Sequence, residues 1–158
     1  MTCRFASGSM WHTASFCLAL SGLAGCAEEE AWEVPTIDSN RFENEVYPVL
    51  LRDCGFPTCH GSEERFFRVW GPGRVRMGNH FEFDDKDELE VNATFQRAVS
   101  FIDQHDPSRS LLLKKPLAVE AGGAGHLGVD KFGRNLYRTT DSPGYLTLAR
   151  WVYSIKRL

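Results

Sequence analysis

Residues 54–61 read CGFPTCHG, and no other stretch constrains the fold of this chain as tightly. Four residues lie between Cys54 and Cys59, and His60 directly follows the second cysteine. Gly55 and Pro57 favour a turn between the thiols, so the fold must close a short loop carrying two sulfurs and an imidazole. That set has two chemical fates. In the first, the sulfurs form thioethers to a haem and the adjacent imidazole supplies an axial nitrogen to iron. The common spacing for this is C-x-x-C-H; here the loop is C-x-x-x-x-C-H, and a bulge at Gly55 and Pro57 absorbs the difference. In the second fate, Cys54 and Cys59 bond to each other. A bridge of that span is worth about 2 kcal/mol by loop entropy and needs Cα atoms within about 7 Å. The neighbouring histidine has a chemical role only in the first. Zinc held by Cys54, Cys59, His60 and His126 is disfavoured, because adjacent Cys and His seldom both reach one tetrahedral ion. Thiol–disulfide exchange is disfavoured too, since it uses C-x-x-C beside a βαβ unit.

The other cysteines bear on the compartment. The chain has 158 residues and five cysteines. Residues 11–24, WHTASFCLALSGLA, are apolar or small, and Arg4 is the only charged side chain before Glu28. The run is short for a spanning helix, which needs about 20 apolar residues, and suits the core of an export signal. It ends in Leu23-Ala24-Gly25-Cys26. LAGC at this place resembles the lipobox of bacterial lipoproteins. The resemblance implies a signal peptide over residues 1–25 and acyl chains on Cys26. With Ala27 and not Asp next, it also implies attachment to the outer membrane, facing the periplasm or the cell surface. Several acyl chains hold a protein on a membrane where one gives only marginal binding. Cys3 and Cys17 would leave with the signal, so Cys54 and Cys59 would be the remaining thiols in an oxidising compartment. A net charge of −3 without a basic run argues against a nucleic-acid partner.

Residues 26–38 read as an acidic tether, and residues 39–158 as one domain, mainly α with long loops. Asp38 or Ser39 can cap a helix through RFENEVYPVLLRD, with Phe42, Val46, Val49 and Leu50 on one face. Pro48 should kink or break that helix. The apolar pairs around Gly71-Pro72-Gly73 suit a short β-hairpin or an Ω-like loop. KDELEVNATFQRAVSFIDQHDP predicts a helix with Leu89, Phe95, Val99 and Ile102 on one side, ending before Asp106-Pro107. SLLLKKPL offers one helical turn, and the glycine-rich residues 121–133 a loop. Ser142 and Pro143 then open a closing helix in which Tyr145, Leu148, Trp151, Val152 and Ile155 share a face.

PVLLRDCGFPTCHG resembles the opening of cytochrome c-like domains common in planctomycetes and myxobacteria. Val46, Pro48 and Leu50 match that family's V-x-P-x-L helix. Pro107, Ser110 and Leu111 to Lys114 match its central stretch, Gly122-Gly123 with His126 its glycine loop, and Tyr145, Leu148 and Trp151 its closing Y-x-x-L-x-x-W helix. The resemblance implies a small cytochrome c-like helical domain binding one haem c covalently through Cys54 and Cys59. His60 would be the proximal ligand and His126 the opposite one, with Met77 and then His80 as competitors. His105 reads as a surface residue at a helix end. Phe56, Phe66, Phe67, Trp70 and Trp151 would line the haem or simply form core. Such a protein passes single electrons to a partner protein and catalyses no bond chemistry. The alternative is a haem-free lipoprotein stapled by a Cys54–Cys59 disulfide and acting as a binding or assembly module. No G-x-S-x-G, phosphate-binding loop or paired catalytic carboxylates point to an enzyme.

Overall fold

Asp38 starts the first helix, its carboxylate accepting the Arg41 N–H at 2.8 Å, which satisfies one of the donors every helix start leaves open. The structure, a computed structural model, describes residues 36–79, 81, 84–125 and 136–156. Helix α1 covers residues 39–54 without a break, through a short α turn at Ser39–Arg41, a wide π turn at Phe42–Val46, an α turn at Tyr47–Val49 and a second π turn at Leu50–Cys54. Pro48 therefore does not break the helix. Pro48 has no N–H to donate, and in a regular α-helix its ring would press on the carbonyl four residues back. The helix widens instead: the Tyr47 N–H bonds the carbonyl of Phe42, five residues earlier, and the Gly55 N–H bonds that of Leu50 at 2.8 Å. Phe42, Val46, Val49 and Leu50 are all buried as the periodicity requires.

Helix α2 covers Glu88–Val99, with Asp87 as its cap. It is shorter than its apolar pattern suggests. The Ser100 hydroxyl turns back to the Arg97 carbonyl, and the Asp103 carboxylate takes the N–H groups of His105 and Asp106; these local bonds replace further helical ones. The expected stripe holds at Phe95, Val99 and Ile102, which pack on the core, and departs at Leu89. Glu90, Thr94 and Ala98 face inward, and Leu89 is 67% exposed. The reason is Glu90, a carboxylate drawn into the interior by an arginine described below.

A single helical turn, α3 (Leu111–Lys114), follows Ser110, whose buried hydroxyl accepts the Asp103 N–H at 3.0 Å. The closing helix α4 (Pro143–Val152) begins at Pro143 after Ser142, as expected. Helix α1 packs against α2 and α4, and α3 against α4. At the centre one ring from each long helix meets. Phe42 of α1 lies 5.0 Å from Trp151 of α4 and 5.1 Å from Phe95 of α2, centroid to centroid. The Trp151 Nε1–H also donates to the Asp38 carbonyl at 2.8 Å, joining the last helix to the start of the first.

The fold is helix-rich, and among the described residues strand pairing is confined to isolated bridges. These join Thr36 to Lys156, Trp70 to Val75 and Leu117 to Tyr137. The segment around Gly71-Pro72-Gly73 is thus a closed loop with one bridge and not a ladder of strands. No helix among the described residues is long and apolar enough to cross a membrane. The expected signal segment, Cys26 and most of the tether lie outside the described residues, as do His80, His126 and residues 157–158.

Candidate functional site

Helix α1 delivers Cys54 to its own last turn, and Gly55 ends that turn. The chain then folds back at once: the Cys59 N–H and the Gly61 N–H both bond the Phe56 carbonyl, at 2.8 and 2.9 Å, and the His60 N–H bonds the Cys54 carbonyl at 3.0 Å. The longer spacing is absorbed as a compact bulge, and the backbones of Cys54 and His60 are directly bonded. Gly61 makes the closure possible, since a Cβ there would sit 1.9 Å from the Gly55 carbonyl oxygen.

Cys54 and Cys59 are both free thiols. Cys54 is buried, and its thiol is pushed up to about 12, chiefly by burial and further by the charges of Asp53 and Cys59. It is a neutral, protonated group at neutral pH. Cys59 is half-buried, with the Thr58 hydroxyl 3.8 Å from its sulfur.

His60 is held by its ring. Its Nδ1 lies 2.8 Å from the carbonyl oxygen of Phe67. A carbonyl can only accept, so Nδ1 carries the hydrogen and the lone pair resides on Nε2. A carbonyl bond to one ring nitrogen is the usual device for presenting the other to a metal. The His60 ring also meets the Phe67 ring edge to face at 4.9 Å. The backbone completes the clasp, because the Val69 N–H donates to the His60 carbonyl at 2.8 Å. Residues 67 and 69 are thus both tied to His60, with Arg68 between them.

Two further clusters border the loop. Asp53 receives a bidentate pair of bonds from Arg52, both at 2.7 Å, and the Tyr137 hydroxyl donates to its Oδ2 at 2.8 Å. Burial, the nearby Cys54 and this bond all raise the Tyr137 phenol. The pair fits because residue 144 is glycine: a Cβ there would lie 2.6 Å from the Tyr137 oxygen. The second cluster fixes the segment after Trp70. Arg76 pairs with the fully buried Glu90 through Nε and Nη2 at 2.9 and 3.0 Å, and the same carboxylate accepts the Met77 N–H at 2.8 Å. Met77 itself is half-buried.

The structure thus brings Cys54, Cys59 and His60 together. It sets Met77 by a separate anchor, while His126, the expected opposite ligand and fourth candidate zinc ligand, lies outside the described residues. Among those residues no group of three or more His, Cys, Asp or Glu side chains is gathered for a metal ion. Of the aromatic side chains expected near a haem, Phe67 touches His60, whereas Trp151 is core. Phe56 and Phe66 are exposed and lie under the guanidinium groups of Arg74 and Arg97. A cleft of about 350 Å³ lined by residues of α1 and α2, Ser39 and Asn92 among them, contains none of the loop residues.

Sequence reasoning missed Arg68, Asp53, Tyr137 and the Arg76–Glu90 pair. Only Arg68 had a local signal, a cation amid the apolar FFRVW; Asp53 and Tyr137 are 84 positions apart. No protein-family model, curated protein or solved structure matches the chain.

Proposed function

We propose that this chain is a lipid-anchored, cytochrome c-like electron carrier, with Cys54 and Cys59 holding one haem by thioether bonds and His60 Nε2 as its proximal ligand. The observation that carries the reading is the 2.8 Å bond from His60 Nδ1–H to the Phe67 carbonyl. It orients an imidazole beside Cys59 in the tautomer that suits ligation through Nε2. The longer spacing is compatible with the reading, since the loop closes with its backbone bonds satisfied. When bound, the haem supplies a one-electron couple. The protein's own residues anchor the group, fix the ligand tautomer and surround it with apolar side chains such as Phe67. The anchor is the acylated Cys26, and the site is the outer membrane, facing periplasm or surface, with a redox protein as partner.

Periplasmic expression of the full chain with haem-maturation machinery tests this. The expected product is red, with a Soret band that survives acid-acetone extraction; Cys59→Ser lowers the retained haem, and His60→Ala shifts the band. A colourless protein, with a mass two hydrogens below that of the reduced chain, would establish the Cys54–Cys59 disulfide and end the haem reading. Cys26→Ala should move the protein from the membrane to the soluble fraction.

A further inference from the structure

Phe66 is 78% exposed and Phe56 50%, on a segment whose backbone is closed by its own hydrogen bonds. Each ring is backed by a guanidinium. The Arg97 Cζ lies 5.0 Å from the Phe66 centroid, and the Arg74 Cζ 4.7 Å from the Phe56 centroid. The two pairs are linked. Arg65, next to Phe66, donates from Nη2 to the Thr58 carbonyl at 3.2 Å, two residues from Phe56. Phe66 also meets Phe101 at 5.9 Å, and Phe101 meets Phe67 at 5.1 Å, which braces the exposed ring from one side. Arg68 and Trp70, 5.4 Å apart, are half-buried, and the Arg68 Nε is buried without a hydrogen-bond partner, so that pair is not one of the exposed ones.

A scattered apolar side chain in water is ordinary. Two aromatic rings, each held under a cation, are a different case. A partner that covers them gains apolar burial with little side-chain ordering left to oppose it. The charge of the same rim states the partner's chemistry. Among the described residues Arg65, Arg74 and Arg97 pair with no carboxylate, whereas Arg41, Arg52, Arg76 and Lys86 do. Glu63 and Glu64 stand exposed beside Arg65, yet neither takes it. The Arg97 guanidinium makes no hydrogen bond among the described residues, so its flat fork is open to a carboxylate. The two glutamates decide between anionic partners. A sheet of anionic headgroups would repel Glu63 and Glu64 wherever it attracted the arginines, while a polypeptide can set carboxylates opposite the arginines alone. Arginine with aromatic rings is also the composition enriched at protein–protein contacts. We propose that Phe56, Phe66, Arg65 and Arg97 form a docking surface for an acidic polypeptide segment carrying apolar side chains. The surface needs no haem, so it is tested apart from the proposed function.

The test titrates the full chain, expressed without haem maturation, and reads its backbone amide NMR shifts. The probes are a glutamate-rich peptide containing leucines, a lysine-rich peptide of equal length and leucine content, and phosphatidylglycerol vesicles. The glutamate peptide should move the amides of residues 56–66 and 97, with an affinity that falls as salt is added. Phe66→Ala and Arg97→Gln should each weaken it about tenfold. The Phe66→Ala loss should persist at high salt, and the Arg97→Gln loss should shrink there. Arg65→Glu combined with Arg97→Glu should bind the lysine peptide instead. A melt accompanies each variant; if Phe66→Ala lowers stability, Arg65→Gln, at an exposed position, should still weaken the glutamate peptide. Shifts scattered over the whole chain, or an affinity indifferent to Phe66 and Arg97, would overturn the proposal as unselective charge attraction. Vesicle binding that depends on these residues, without peptide binding, would overturn it in favour of a membrane surface. No saturable shift up to about 1 mM peptide would overturn it outright. A colourless protein under haem maturation leaves this surface standing and ends only the haem reading.

Discussion

At Cys54 the chain buries a thiol beside the ionised Asp53, and both effects favour the protonated sulfur. The consequence is a definite pH dependence in the haem-free protein. Unfolded, the thiol titrates at its usual 9.0; folded, it titrates at about 12. The group therefore contributes its full stability below the unfolded value and loses it as pH rises through that window. The loss approaches about 1.4 kcal/mol per pH unit, the slope for one proton. Tyr47 and Tyr137 are also raised, from 10.0, so their contribution begins later. Urea melts should show wild-type stability falling from about pH 9, with Cys54→Ala lacking that first fall. Equal slopes in the two proteins would mean that the thiol is solvated. At His60, one carbonyl bond selects the ring tautomer.

At the level of elements, the two wide turns of α1 let a proline sit inside a helix that still ends on Cys54. Wide turns of this kind often mark functional segments, and here the carbonyl of Leu51 in the second one is taken by Arg74. The segment between Trp70 and α2 has no regular structure, yet it is pinned. Arg76 reaches the carbonyl oxygens of Phe81, Asp84 and Asp85 in addition to Glu90. Removing one member of such a buried pair leaves an uncompensated charge, so Glu90→Leu should cost about 3–5 kcal/mol in urea unfolding. Glu90→Leu combined with Arg76→Met should recover much of that loss. A double variant no better than the single would show that the pair acts chiefly by tying the loop down. The Arg76–Glu90 pair also explains the exposure of Leu89, because burying Glu90 turns its neighbour outward.

For the whole molecule, the three long helices depend on one residue. Trp151 is fully buried, packs on Phe42 and Phe95, and bonds the Asp38 carbonyl at the beginning of the domain. Trp151→Ala should cost about 3–5 kcal/mol, as large-to-small core changes do. Trp151→Phe keeps most of the ring contacts and loses the bond, at about 1 kcal/mol. The Asp38 carbonyl still accepts the Phe42 N–H at 3.1 Å, which keeps that second cost small. Thermal melts of the two variants give the order; a Phe variant as unstable as the Ala one would place the energy in the hydrogen bond and not in the packing.

Local chemistry made part of this protein legible. Asp38 marks a helix start because a cap acts within a few residues, Pro143 marks another because its fixed φ suits a first helical position, and the apolar face of α1 shows because burial repeats with the turn of the helix. The tight loop of Cys54, Cys59 and His60 is visible for the same reason, being closed by bonds among neighbours. What the sequence alone could not decide depends on groups far apart in the chain. Pro48 breaks or widens a helix according to what packs around it. A carboxylate at position 90 is solvated or buried according to whether an arginine meets it. The tautomer of His60, the unmet Nε of Arg68 and the Tyr137–Asp53 bond exist only once distant segments are brought together. Periodicity carries no information about such meetings, because each is settled by the partner that the tertiary fold supplies.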